Sequence, residues 1–164
     1  TMSSRQPDEQ FLDMVKSAES LDPNDNGYGA QLQRASVSRF REWSRNNESR
    51  TGLRWAWHEF FTQFDALITP IMATAAIPHD HRPGNERQII VNNKPQSYYN
   101  QVFWSGLTGG VYLPSTIIPT GPNSEGLPIG VQIAGPEYGD LVTIGLAQLL
   151  EKEGFQFVPA PGYD

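Results

Sequence analysis

Apolar residues fall at helical spacing in the first part of the chain and at strand spacing later. Phe11, Leu12, Val15 and Ala18 recur three and four residues apart within Asp8 to Leu21, and "DPNDNG" ends what is predicted as a short helix. From Ala30 to Arg45, Leu32, Ala35, Phe40 and Trp43 lie near one stripe with Arg34, Arg41 and Arg45 mostly off it, so an amphipathic helix with a solvated basic side is expected. A third helix is expected from Arg50 to Phe64, where Leu53, Trp57, Phe60, Phe61 and Phe64 stand at i, i+4, i+7, i+8 and i+11. Core packing is the economical use of such rings, with a pocket lining as the alternative.

The pattern then changes. "DALITP" predicts a short buried strand, Ala66 to Thr69, stopped at Pro70 because proline has no N–H for a central ladder. The long loop "IMATAAIPHDHRPGNER" follows, and long loops at strand ends commonly carry sites. "RQIIVNNKPQSYY" predicts a hairpin, Gln88 to Val91, turning at Asn92-Asn93 and returning through Gln96. Tyr98 to Thr108 is expected as one helix closed by Gly109-Gly110, and two strands, Ser115 to Pro119 and Ile129 to Ala134, flank the turn-rich "TGPNSEGLP". Leu141 to Glu151 is apolar on most faces, so it is expected to lie buried on a sheet, with Asp140 as its cap and Gly154 as its stop. "FQFVP" alternates and predicts a terminal edge strand ahead of Pro159 and Pro161. The elements together give an α/β class, a mixed sheet with flanking helices.

Composition narrows the function classes. The 164 residues suit a single domain, and Gly and Pro concentrate after residue 70, so that the first part reads as helical and the second as loop and strand. A net charge of -6, with 12 basic residues spread thinly, argues against nucleic acid as a partner. The absence of cysteine removes disulfides, thiolate metal sites and a cysteine nucleophile. No run approaches the roughly 18 apolar residues of a membrane span, and "TMSSRQPDEQ" lacks a basic-then-apolar leader, so a soluble, cytoplasmic protein is expected.

Candidate chemistry read from spacing alone is sparse. In "PHDHRPG", His79 and His81 could share one side of an extended chain, but no third metal ligand is signposted, and the cluster reads as solvated loop. There is no phosphate-binding glycine loop and no Gly-x-Ser-x-Gly elbow, and His58 reads as a helix residue rather than a base. No metal or cofactor is expected.

The segments "LPSTIIPTG" and "GLPIGVQIAGPEYGD", with "FDALITP" and "YYNQVFWSGL" upstream, are similar in order and spacing to the C-terminal region of the amidase signature family of serine amide hydrolases. The match runs from about Arg50 to the end, while Met2 to Asn47 carries no signature; one departure is Gly109-Gly110, where many members place Asn. The resemblance implies a large mixed sheet and a site built from a Ser, a Ser on a cis peptide bond and a Lys base, since a serine hydroxyl needs a desolvated neutral lysine to take its proton. This chain holds only Lys16, Lys94 and Lys152, has no "GGSSGGS"-like segment, and its Ser3-Ser4 pair lacks glycine support. No catalytic residue is therefore assigned.

What the resemblance implies for the chain is a supporting part of an amidase, one that lends sheet strands and the acyl-side wall of a site for a small-molecule amide. Ile71 and Met72, past the Pro70 strand end, and Trp104, Ser105 and Thr108 on the following helix are the candidate wall residues. Such a C-terminal portion is expected to be inactive alone and to form a homo-oligomer, since a cut sheet exposes edges and apolar faces. The alternative is a non-catalytic binding module or subunit of amidase descent.

Overall fold

The computed structural model describes residues 6–160, 162 and 163; Ser3, Ser4 and Pro161 lie outside them. The chain divides into two compact units, residues 1–49 and 50–164.

The first unit holds α1 (Asp8–Glu19), α2 (Tyr28–Ser36) and the start of α3 (Phe40–Phe60). The break between the second and third helices falls at 37–39, not at the expected 46–49. Local capping explains the shift: the Glu42 carboxylate accepts from the Arg39 N–H at 3.0 Å while the Arg39 carbonyl accepts from Glu42 and Trp43 at 2.9 Å, so a helix starts here. Arg34 is not on a merely solvated side. Its Nη1 and Nη2 donate to the carbonyls of Asp25 and Asp22, at 2.7 and 2.6 Å, and so close the "DPNDNG" loop.

In the second unit, three strands form an antiparallel sheet in the order β1 (Leu67–Pro70), β5 (Pro128–Ala134), β4 (Ser115–Pro122). Pro70 pairs with Val131 inside β1, which an edge strand tolerates because its outer side needs no N–H. Register puts Thr69 and Ile117 opposite Gln132, and Ile68 and Thr116 opposite Ile133, which defines the two faces. On the Ile133 face, the Thr116 hydroxyl meets Thr143 Oγ1 of α5 (Asp140–Lys152) at 2.9 Å. On the Gln132 face lies α4 (Val102–Gly109), whose Trp104 carbonyl accepts from Gln132. The sheet is thus a middle layer, and the complete burial of Ile133 stabilises it by roughly 1.5–3 kcal/mol. β4 and β5 are joined through Asn123, whose Oδ1 accepts from the Glu125 and Leu127 N–H groups at 3.0 and 2.9 Å.

A separate hairpin, β2 (Gln88–Val91) with β3 (Lys94–Ser97), turns as expected at Asn92 and Asn93, with φ of 50° and 61°, the positive values a two-residue turn of this hand requires. A 3-10 turn over Tyr98–Gln101 precedes α4, so Tyr98 to Thr108 is two elements rather than one. α4 also runs through Gly109 rather than stopping before it.

Three further expectations are corrected. Asp140 does not cap α5: it is the first helical residue, and Gly139 caps, because a tight turn from the Pro136 carbonyl to the Gly139 N–H at 2.8 Å starts the helix one residue earlier. Phe155 to Pro159 forms no strand. The Phe155 N–H instead bonds the Leu150 carbonyl and the Gly154 N–H the Glu151 carbonyl, both at 3.1 Å, around a Gly154 φ of 103°, so Phe155 completes a Schellman stop. The third correction concerns burial. Leu53 and Phe64 are more than half exposed and the rings from Trp57 to Phe64 pack on one another, edge-on for Trp57 with Phe60 and stacked for Phe60 with Phe64 at a centroid distance of 4.7 Å. Leu141, likewise, is 82% exposed although the apolar pattern of α5 predicts burial. Periodicity reports which face is apolar, not whether a facing element is at hand to cover it.

Candidate functional site

The proline that ends β1 delivers the chain into a loop over 71–76, and this loop walls a groove of about 600 Å³ with Ile68, Pro70, Thr120, Ile129 and Val131. Ile68, Ile129 and Val131 project from the same sheet face as Ile133, so the groove shares its face with α5. Ile71 is half-buried and Met72 is exposed, and both line the groove. Its volume lies in the range of about 300–1,000 Å³ usual for small-molecule sites.

Trp104, Ser105 and Thr108 are not brought to that groove. They sit on α4, over the opposite sheet face. Ser105 is exposed and its hydroxyl donates to the Val102 carbonyl of its own helix at 3.1 Å. Trp104 is half-buried, its ring edge-on to Phe103 with centroids 5.2 Å apart. Thr108 is almost wholly buried, with its hydroxyl 3.4 Å from Gln132 Oε1.

Gln132 is the residue that sequence reasoning passes over. Buried at 1% exposure, it donates from Nε2 to Thr69 Oγ1 at 2.9 Å and to the Trp104 carbonyl at 3.0 Å, while Oε1 faces Thr108. One amide thereby fixes β1, β5 and α4 relative to one another, and with them the start of the 71–76 wall. The signal for it is a lone amide within the apolar run "IGVQIAG", which burial on both faces obliges to find partners.

Arg54, of α3, forms an ion pair with Glu137 in the turn before α5, and the Arg50 guanidinium lies 4.5 Å from the Tyr112 ring centroid. Beyond the groove wall, Asp80 takes a forked contact from Arg82, with Nε at 3.0 Å and Nη2 at 2.6 Å. The bonds from Arg82 hold the Asp80 carboxyl well below its usual value, at about 2. His79 and His81 are exposed, with ring centroids 6.2 Å apart, and among the described residues no group of three or more His, Asp or Glu converges as a metal site. His58 is exposed and lies edge-on to Trp55. No helix among the described residues is long and apolar enough to cross a membrane.

A family model described as Amidase matches residues 8–143, most of the chain. The chain belongs to the amidase family. The match reaches back through α1 and α2, so the helical segment in which no signature was expected is also covered by the family model. Among curated relatives, the chain is 28% identical over 96 residues to a subunit of glutamyl-tRNA(Gln) amidotransferase from Brucella ovis, covering 58% of this chain and 18% of that protein. The solved structure of a bacterial aryl acylamidase of the amidase signature family superposes with a TM-score of 0.59 at 18% identity, covering 93% of this chain and 35% of that one. The corresponding amidotransferase protein of Thermotoga maritima superposes with a TM-score of 0.58 at 21% identity, over 94% of this chain and 35% of its own. The amidase chain described here therefore spans under a fifth of the curated relative and about a third of the solved structures. These likenesses show an α/β amidase fold.

Proposed function

We propose that this chain is the C-terminal portion of an amidase whose complete form hydrolyses a carboxylic amide to an acid and ammonia or an amine, and that it contributes the acyl-side wall of the site without the reacting groups. The observation that carries this reading is the groove at the end of β1, walled by Ile71 and Met72, in a chain that matches the amidase family yet spans about a third of its solved members. α4 enters the reading through Gln132: by tying Trp104 and Thr108 to the sheet, it makes these two residues supports of the wall rather than its surface, while Ser105 stands exposed.

The state of the lysines supports the absence of chemistry in this chain. A lysine that serves as base must be desolvated to be neutral. Lys16 is 76% exposed and paired with Asp13, and Lys94 and Lys152 are exposed as well. The test is direct: the purified chain, incubated with hexanamide and phenylacetamide, is expected to release no ammonia above a buffer blank. Release that scales with chain concentration, and that survives repurification, overturns the proposal.

A further inference from the structure

We infer that the groove selects an uncharged aliphatic or aryl acyl group and rejects one that carries a charge; this deepens the proposed amidase site and rests on it. None of the groove's lining residues is Asp, Glu, Lys, Arg or His. Two of its three hydroxyls are already engaged elsewhere. Thr69 Oγ1 is turned to the other sheet face, where it accepts from Gln132 at 2.9 Å, and Thr120 Oγ1 donates to the Ile129 carbonyl at 3.3 Å. Thr74 Oγ1 is buried from solvent, without a hydrogen-bond partner. The larger side chains of the lining are those of Ile68, Ile71, Met72, Ile129 and Val131.

A charged acyl group seated here would give up part of its water and meet no counter-charge among the lining side chains, a cost that apolar contacts do not repay. An alkyl chain or ring loses nothing of the kind and gains by area. The charged groups of this region lie across the 74–76 ridge, where His79, Asp80 and Glu125 line a second depression of about 590 Å³, and Asp80 there is already engaged by Arg82. A zwitterion such as free L-glutamine, which carries both charges close to its amide chain, is thus excluded from the groove.

The experiment is a titration of the full chain, with Ile and Met methyl groups labelled, by hexanamide, phenylacetamide and L-glutamine, followed by NMR. The two apolar amides are expected to shift the Met72, Ile71 and Ile129 methyl signals saturably, and L-glutamine is expected to leave them in place. Ile129→Glu is expected to weaken hexanamide binding by roughly tenfold or more. Met72→Lys, at a position 41% exposed where folding is not at risk, is expected to do the same. Saturable shifts of these methyls by L-glutamine overturn the charge selectivity and leave the wall standing. Dispersed, folded spectra that no amide moves overturn the wall itself, and the selectivity with it.

Discussion

Gln132 Nε2 stands 2.9 Å from Thr69 Oγ1, a side-chain bond that ties the central strand to the edge strand ending at the groove. The same nitrogen reaches the Trp104 carbonyl at 3.0 Å, so both amide protons are used inside the core. Gln132→Leu keeps most of the volume but strips the buried Trp104 carbonyl and the hydroxyls of Thr69 and Thr108 of this partner. At about 1–3 kcal/mol for a buried polar group left unsatisfied, the variant is expected to unfold at clearly lower urea concentration. An unchanged urea midpoint would show that the network adds no stability.

Two glycines near α5 carry opposite expectations. A Cβ at Gly135 would come within 2.6 Å of Thr143 Cγ2, on a β-branched side chain whose hydroxyl is held by Thr116, so α5 has to move off the sheet. Gly135→Ala is expected to destabilise by about 1–3 kcal/mol. A Cβ at Gly145 meets nothing within 4 Å inside the same helix, so Gly145→Ala is expected to stabilise by up to about 1 kcal/mol through helix propensity. Thermal melts of the two variants check the pair, and equal shifts in one direction contradict the packing described.

The strands of this fold are legible because their punctuation is local. Pro70, the Asn92-Asn93 turn and the "TGPNSEGLP" loop each fix a boundary by chemistry within a few residues, and β1, β2, β4 and β5 follow within a residue or three. Where two local rules compete, the pattern misleads. "NNES" has the composition of an interruption, yet the Glu42 contact to the Arg39 N–H has already set the start of α3, and the chain stays helical through 46–49. "FQFVP" carries strand alternation, but a strand needs a neighbour, and the Gly154 stop takes Phe155 instead. The placement of the candidate wall residues is half legible. Ile71 and Met72 follow from their place after the β1 proline, whereas the separation of α4 from them by the thickness of the sheet depends on Gln132, a tertiary contact that no spacing encodes.

The Arg82–Asp80 fork gives the loop an acid-sensitive element. Chiefly through side-chain bonds from Arg82, the folded Asp80 carboxyl titrates at about 2, below its ordinary 3.8. A depressed carboxylate lends its stability above the ordinary value and loses it as pH falls through about 2, so the loop contacts persist at neutral pH and weaken only in strong acid. Arg82→Gln is expected to raise the Asp80 titration from about 2 toward 3.8, stopping short of it because the backbone N–H of residue 82 still donates to the carboxylate at 3.0 Å, and the change is followed through the carboxyl carbon by NMR. A titration left near 2 in that variant would mean that Arg82 is not the cause.

Self-association follows from which surfaces the second unit leaves bare. β1 and β4 are both edge strands, each with one side unpaired in the sheet, and each shows an isoleucine, Ile68 at 51% and Ile117 at 58% exposure. Trp55 at 68% and Leu141 at 82% add bare apolar surface on helices. Edge strands that present apolar side chains beside free N–H and C=O groups pair with other chains unless charge or proline blocks them. Pro70 blunts one end of β1, and Pro119 lies within β4, but no charged side chain stands in either strand. The isolated chain is therefore expected to scatter light as a dimer or larger species at micromolar concentration, with a mass well above 18.3 kDa. Ile117→Lys places a charge on the β4 edge at an exposed position and is expected to shift the population toward monomer without lowering stability. A monomeric mass for the unaltered chain would show that its edges do not pair and would count against a cut sheet.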